Sequence, residues 1–221
     1  MKVYHRFNGI IIARDLQAVP KNSPLTIVNV GYLSTNYWVV SAGRSRLLVD
    51  LGYPGTLGTL RARLKQMDIP LDELRYALAT HYHIDHAGLA QELKLARVPL
   101  LVLDVQVNSI PLMKQFSKPQ DHYVEISLDG NTTISCAESR EVLERIGIAG
   151  EIFHTPGHSD DSVSLLLDDG SVFTGDLTPL ELAWGDSASI VRSSWRLLMS
   201  KGAKRVYPGH GGVRLVGQEP K

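Results

Sequence analysis

Cysteine is nearly absent. Cys136 is the only one in 221 residues, so no disulfide can close within the chain, and a reducing compartment suits it. Neither sign of charge predominates: 23 basic residues balance 23 acidic ones. That balance argues against a chain built to wrap nucleic acid, because phosphate binding leaves a basic excess. No apolar run approaches the roughly 18 residues of a membrane span. Residues 9–13 make too short an apolar core for a secretory leader before Arg14 and Asp15 interrupt it. Internal repeats, low-complexity tracts and linkers are also missing. With 43% hydrophobic and 21% charged residues, the composition is that of a globular chain rather than a disordered one. These exclusions leave a single domain over residues 1–221, expected in the cytoplasm, with neither membrane nor nucleic acid among its partners.

What is present reads as alternating strands and helices. Apolar or β-branched runs at 10–13, 25–30, 37–41 and 46–49 predict strands, punctuated by Pro20, Pro24, Gly31 and Gly43. Leu57, Leu60, Leu64 and Met67 recur at spacings of three and four, which predicts a helix. Further strands are expected at 74–80, 98–103, 151–154, 162–167, 171–174 and 205–207, and further helices at 89–96, 140–146 and 191–198. Residues 108–125, broken by Pro111 and Pro119, predict a long loop or broken helix of the kind that covers a site. The class is α/β or α+β.

Five of the eight histidines fall into three motifs. The first is His81-Tyr82-His83-Ile84-Asp85-His86, the second Thr155-Pro156-Gly157-His158, the third Pro208-Gly209-His210. Gly175-Asp176 lies between the last two. Residues two apart in extended chain point the same way, so His81 and His83 can reach one ion while Tyr82 turns into the core. Asp85 and His86 sit where a helix begins and must point elsewhere, which suits a second ion. Every candidate follows a predicted strand, so distant segments can converge on one rim. Imidazole and carboxylate without thiolate is the ligand set of zinc, manganese or iron hydrolytic sites. Seven candidates over-supply one ion and serve two well.

This order of motifs resembles the metallo-β-lactamase superfamily, in which H-x-H-x-D-H is followed by a T-P-G-H histidine, a G-D aspartate and a late histidine. The gaps from His86 to His158, His158 to Asp176 and Asp176 to His210 are 72, 18 and 34 residues, ordinary for that family. The resemblance implies a four-layer αββα sandwich. It implies that His81, His83 and His158 hold one metal, that Asp85, His86 and His210 hold the other, and that Asp176 bridges them. Two divalent ions are expected, zinc first, with iron or manganese as substitutes. Asp50 matches an aspartate that the family places beneath the metal loop as a partner of the ligands; a plain Asp-x-Gly turn would account for it equally well.

The chemistry implied is hydrolysis by a metal-bridging hydroxide, with Asp85 accepting its proton and passing it to the leaving group. Antibiotic-degrading members typically lack the bridging aspartate, so Asp176 counts against them. Glyoxalase II-type thioesterases and lactonases carry the full ligand set. The basic and aromatic glutathione-binding stretch of the former is not visible after Asp176, and Pro179 and Leu180 stand where well-known lactonases carry a tyrosine. The expected substrate is a small ester, lactone or thioester. Phe116, Leu180 and Trp184 are the candidate pocket residues. The alternatives are a phosphodiesterase or nuclease on the same metals and a non-hydrolytic iron, redox or metal-binding protein. Arg192 and Arg196, one helical turn apart in an acid-free stretch, read first as a solvated helix face and second as a patch steering anions.

Overall fold

The computed structural model describes residues 24–185 and 188–217, and the backbone of two further strands, β1 (Lys2–Phe7) and β2 (Ile10–Asp15), which pair antiparallel. Pro20, Asp186 and the last residue of the acid-free stretch, Gln218, lie outside the described residues. The next four strands are β3 (Leu25–Asn29), β4 (Trp38–Ala42), β5 (Ser45–Val49) and β6 (Leu74–Leu78), and they form one sheet in that order. Helix α1 (Leu57–Gln66) carries the chain from β5 to its parallel neighbour β6. Two short helices follow, α2 (Ile84–Ala87) and α3 (Ala90–Leu95). Strand β7 (Leu101–Leu103) then lies beside β6, joined where Ala77 N–H donates to Pro99 O at 2.9 Å, and β8 (Thr132–Ile134) pairs with β7 in parallel.

After α4 (Ser139–Arg145) come β9 (Gly150–His154), β10 (Val163–Leu167), β11 (Ser171–Gly175), α5 (Ala188–Ser200), β12 (Arg205–Pro208) and β13 (Arg214–Leu215). These strands form a second sheet in the order β13-β12-β11-β10-β9.

Alternation along the strands sorts side chains into three cores. Trp38, Val40, Leu47, Val49 and Leu78 from the first sheet meet Val163, Leu165, Leu167 and Phe173 from the second. Their neighbours Val39, Leu48 and Ala77 face the other way, against Leu60 and Leu64 of α1 and Leu93 of α3. On the far side Leu166, Val172 and Val206 pack under Val191, Trp195 and Leu198 of α5. Three cores separate four layers, helix–sheet–sheet–helix, as expected. Both faces of the central strands are covered, and so β4, β10 and β11 are buried at every position.

Residues 108–125 form a broken helix, with about two tight turns at Ile110–Phe116 and a single one at Pro119–Asp121. Strand β8 was not anticipated. Its Thr132-Thr133-Ile134 is short and carries one buried apolar side chain, too little pattern to stand out.

At one edge the two sheets touch through polar groups: Val163 N–H donates to Thr80 O at 2.8 Å, and Asn36 N–H donates to Gly209 O at 2.7 Å. A Cβ on Gly175, whose φ is +51°, would stand 2.1 Å from Thr80 Oγ1, so only glycine lets the sheets close there. Strands β5, β6, β9, β11 and β12 all end at this edge, which holds every candidate ligand.

Candidate metal centre

His81 leaves β6 and is followed by Tyr82, which turns into the core under α1 and α3 as its alternation required. His83 then lies beside His81, its Nδ1 3.1 Å from His81 Nε2. The loop after β9 brings His158 to the same atom, with Nε2 3.0 Å from His83 Nδ1. A ring nitrogen offers one proton or one lone pair, so His83 Nδ1 cannot satisfy two neighbours at once. Three nitrogens converging on a common point suit a cation.

A second group forms around α2. His210 Nε2 lies 3.1 Å from Asp85 Oδ2 and 3.3 Å from His86 Nε2. Asp176, just past β11, reaches both groups through one oxygen: Oδ2 is 3.3 Å from His86 Nε2, 3.4 Å from His210 Nε2 and 3.7 Å from His158 Nε2. Among the described residues, three donor sets lie with their ligand atoms within 4.8 Å of one another: His81/His83/His158, His81/His86/Asp176 and Asp85/His86/His210. The donors are nitrogen and carboxylate oxygen, and they fit divalent metal.

The electrostatics differ between the histidines. Burial chiefly, then the neighbouring His86, His158 and His83, pushes His81 well below the ordinary histidine range. Burial likewise lowers His158. His86 goes the other way: burial alone would lower it, but Asp50, Asp176 and Asp85 together hold it well above. Asp85 and Asp176 are both lowered, since contact with His86 outweighs the burial that opposes ionisation. The centre therefore has ionised carboxylates around a point where a cation is stabilised, and metal entering it displaces a proton.

The sequence profile of the metallo-beta-lactamase superfamily matches residues 30–210. The chain belongs to that superfamily. It is 30% identical over 186 residues to an atrochrysone carboxyl ACP thioesterase of Aspergillus terreus, which covers 81% of this chain and 50% of the thioesterase. It is 28% identical over 208 residues to a probable metallo-hydrolase of Methanocaldococcus jannaschii, covering 86% of this chain and 93% of that protein. The chain spans about half the length of the fungal curated relatives it matches. Among solved structures, the B3 metallo-β-lactamase BLEG-1 superposes with a TM-score of 0.67 at 22% identity, over 89% of this chain and 96% of the lactamase. A protein solved in a di-iron-bound form gives 0.65 at 23%, over 87% and 95%. These two likenesses speak for the fold, and the relatives' names support a metallo-β-lactamase-fold hydrolase.

Thr35 and Ser34, beside this centre, gave no signal in the sequence. Thr35 Oγ1 donates to Asp85 Oδ2 at 3.0 Å, and His210 Nδ1 lies 2.8 Å from Ser34 O, so the β3–β4 loop braces the second group from outside. Asp50, 1% exposed, accepts Thr80 N–H and Oγ1–H through Oδ1, both at 2.8 Å, and sets Oδ2 3.0 Å from His86 Nδ1. It thus touches a candidate ligand, which a simple turn aspartate would not do. The pocket candidates are less gathered. Trp184 is 82% exposed and Phe116 70% exposed, while Leu180 packs against the core beneath α5. Arg192 donates to Ala183 O at 3.1 Å and Arg196 to Arg192 O at 3.3 Å, so each guanidinium has one nitrogen on a nearby carbonyl.

Proposed function

We propose that this chain is a metal-dependent hydrolase that holds two divalent ions, zinc first, and cleaves small carbonyl substrates, thioesters and lactones before others. The observation that carries the reading is Asp176 Oδ2, placed within 3.7 Å of ring nitrogens from both histidine groups. His81, His83 and His158 would hold one ion, and Asp85, His86 and His210 the other, with Asp176 shared. Bound there, the pair would supply a water acidified towards neutrality and withdraw charge from the substrate carbonyl.

The remaining work falls to the chain. Asp85, kept ionised beside His86 and fixed by Thr35, accepts a proton from the attacking water and returns it to the leaving sulfur or oxygen. Trp184 and Phe116, exposed and apolar, are offered as the surface that meets the acyl group. The thioester preference is supported by the fungal relatives named as thioesterases. A polynucleotide substrate finds little to hold it: the chain is neutral, and Arg192 and Arg196 are engaged locally. We further propose that residues 1–221 act as one domain in the cytoplasm. Among the described residues no helix is long and apolar enough to cross a membrane.

The test uses one metal-loaded preparation and compares kcat/KM for an acyl thioester, an acyl lactone, bis(p-nitrophenyl) phosphate and a β-lactam. The thioester and lactone should lead. A phosphodiester ahead by tenfold or more overturns the carbonyl reading. Elemental analysis should find close to two metal equivalents, and a value fixed near one overturns the dinuclear assignment.

A further inference from the structure

Two separate loops supply the first donor group: residues 79–83 after β6, and 155–162 between β9 and β10. His83 and His158 are 75 residues apart, yet their nitrogens stand 3.0 Å from each other. Something must hold one loop against the other before any ion arrives. From the geometry we infer that Asp161, backed by Gln106, is the positioning residue that sets the His81/His83/His158 group. This rests on the metal-centre reading above.

Asp161 is 5% exposed and spans the gap. Its Oδ2 accepts the N–H of Tyr82, the residue between His81 and His83, at 2.8 Å. Its Oδ1 accepts the hydroxyl of Ser159, the residue after His158, at 2.7 Å. One carboxylate therefore fixes a group adjoining each member of the donor set. Gln106 supports it from behind and is fully buried. Its amide nitrogen faces Ala79 O at 3.0 Å, and Thr80 O and Asp161 O at 3.3 Å each, so its two protons are shared among three carbonyls of the two loops. Its Oε1 accepts Leu103 N–H at 3.1 Å, which anchors the amide to the end of β7.

The second donor group has other supports: Asp50 at His86, Thr35 at Asp85 and Ser34 O at His210. Asp161 should therefore govern one ion and not the other. Burying a carboxylate against neutral donors is costly unless its bonds are well made, which makes the residue a poor choice for simple packing. Partners of metal ligands typically change affinity by about 10- to 100-fold when removed.

The experiment titrates zinc into metal-free protein against a chromogenic chelator, with thermal unfolding measured alongside. Wild type should show two binding steps, and His83→Ala identifies the step that belongs to the first group. Asp161→Ala should weaken that step at least tenfold and leave the other within threefold. Asp161→Asn should recover most of the loss, because its amide can accept from Tyr82 and donate to the Ser159 hydroxyl, which can turn to receive it. Ser159→Ala, at a half-buried loop position, deletes one of the two bonds and should weaken the same step about threefold, which keeps the test alive should Asp161→Ala not fold. Ser139→Ala serves as control, since Ser139 Oγ accepts Ile152 N–H at 2.9 Å in the buried core by α4. It should lower the unfolding temperature without moving either step. An Asp161→Ala isotherm that superimposes on wild type, or one in which both steps weaken together, overturns the inference alone. Wild type that takes up no zinc overturns the metal-centre reading and the inference with it.

Discussion

Replacing Asp50 by Asn changes one atom, and the structure indicates which property of the centre that atom controls. Asp50 has φ +62°, in the left-handed region, where Asn is accommodated about as well as Asp. Its backbone N–H bonds Leu78 O at 2.9 Å and is unaffected by the change. If the new amide keeps its oxygen on Thr80, its NH2 faces His86 Nδ1, which now must accept. The imidazole proton then moves to Nε2, the nitrogen that faces Asp85, Asp176 and His210 at 3.3–3.4 Å. A protonated Nε2 cannot bind metal. If the amide instead turns over, its NH2 meets the two donors of Thr80, one buried donor conflict in exchange for the other. Either arrangement costs about 1–3 kcal/mol. At about 1.4 kcal/mol per factor of ten, that corresponds to roughly 10- to 100-fold in affinity for the second ion. A zinc competition titration reads the loss directly, and unfolding in chelator should change by only a few degrees. Wild-type affinity for both ions in Asp50→Asn would refute the argument that Asp50 sets the tautomer of His86.

Asp176→Ala removes a donor common to both histidine groups, so metal content by elemental analysis and activity should fall together, whereas Asp85→Asn, assayed with saturating metal to offset its weaker hold on the second ion, should lose kcat by tenfold or more; a near-normal rate would remove Asp85 as proton carrier. Gly209→Ala would place a Cβ 2.5 Å from both Asp176 Oδ1 and His86 Cε1, so metal affinity should drop at least tenfold, as read by chelator competition, while the three apolar cores stay intact. Burial pushes the Tyr37 phenol up to about 12 from its ordinary 10.0. The folded state therefore holds that proton more tightly than the unfolded chain, so this group's contribution to stability is level below pH 10 and falls as pH rises towards 12, by about 3 kcal/mol in all. Urea unfolding at pH 8 and pH 11 should show the decline in wild type and a shallower one in Tyr37→Phe.

The strands, the helices and the candidate donors could be read from the sequence because they rest on short-range pattern, whereas the four-layer stacking came from the resemblance to the superfamily. The apolar, β-branched run at 37–41 and the three-and-four spacing of Leu57, Leu60 and Leu64 follow from the geometry of a strand buried on both faces and of a helix with one buried face. The histidine motifs are local too, each one attached to the end of its own strand. The supporting residues follow a different rule. Thr35 meets Asp85 across 50 positions, and Asp161 meets Tyr82 across 79, so each looks like an ordinary loop residue until the sheets close. Gln106 is a stronger case, a polar residue in a run of apolar ones whose three carbonyl partners come from two other segments. Only Asp50 gave a hint in advance, through its place in the family's order of motifs. Leu180 is ambiguous in a different way: its apolar side chain, in the loop after Asp176, suggests a pocket wall, and in the fold it is half-buried against the core beneath α5.

The division between what holds the fold and what holds the centre explains why affinity and stability should separate in these variants. The apolar side chains that join the two sheets, Val40, Leu47, Leu165, Leu167 and their neighbours, bury their surface whether or not the donors are aligned. At the edge itself the sheets meet through single polar contacts, Val163 to Thr80, Asn36 to Gly209 and Trp38 Nε1 to Pro208 O at 3.0 Å. Each such bond contributes only about 1 kcal/mol to folding, yet its direction fixes where a ligand-bearing loop leaves its strand. The first sheet supplies His81, His83, Asp85 and His86, and the second supplies His158, Asp176 and His210. Each proposed ion would therefore take ligands from both sheets, and its affinity depends on how those two halves are held together at the edge. Asp161 acts on that registration at the first donor group, while Asp50 faces His86 directly and adjoins the first group through Thr80, whose Oγ1 lies 3.2 Å from His81 Nδ1, so loss of either carboxylate should be felt by metal affinity before it is felt by the fold.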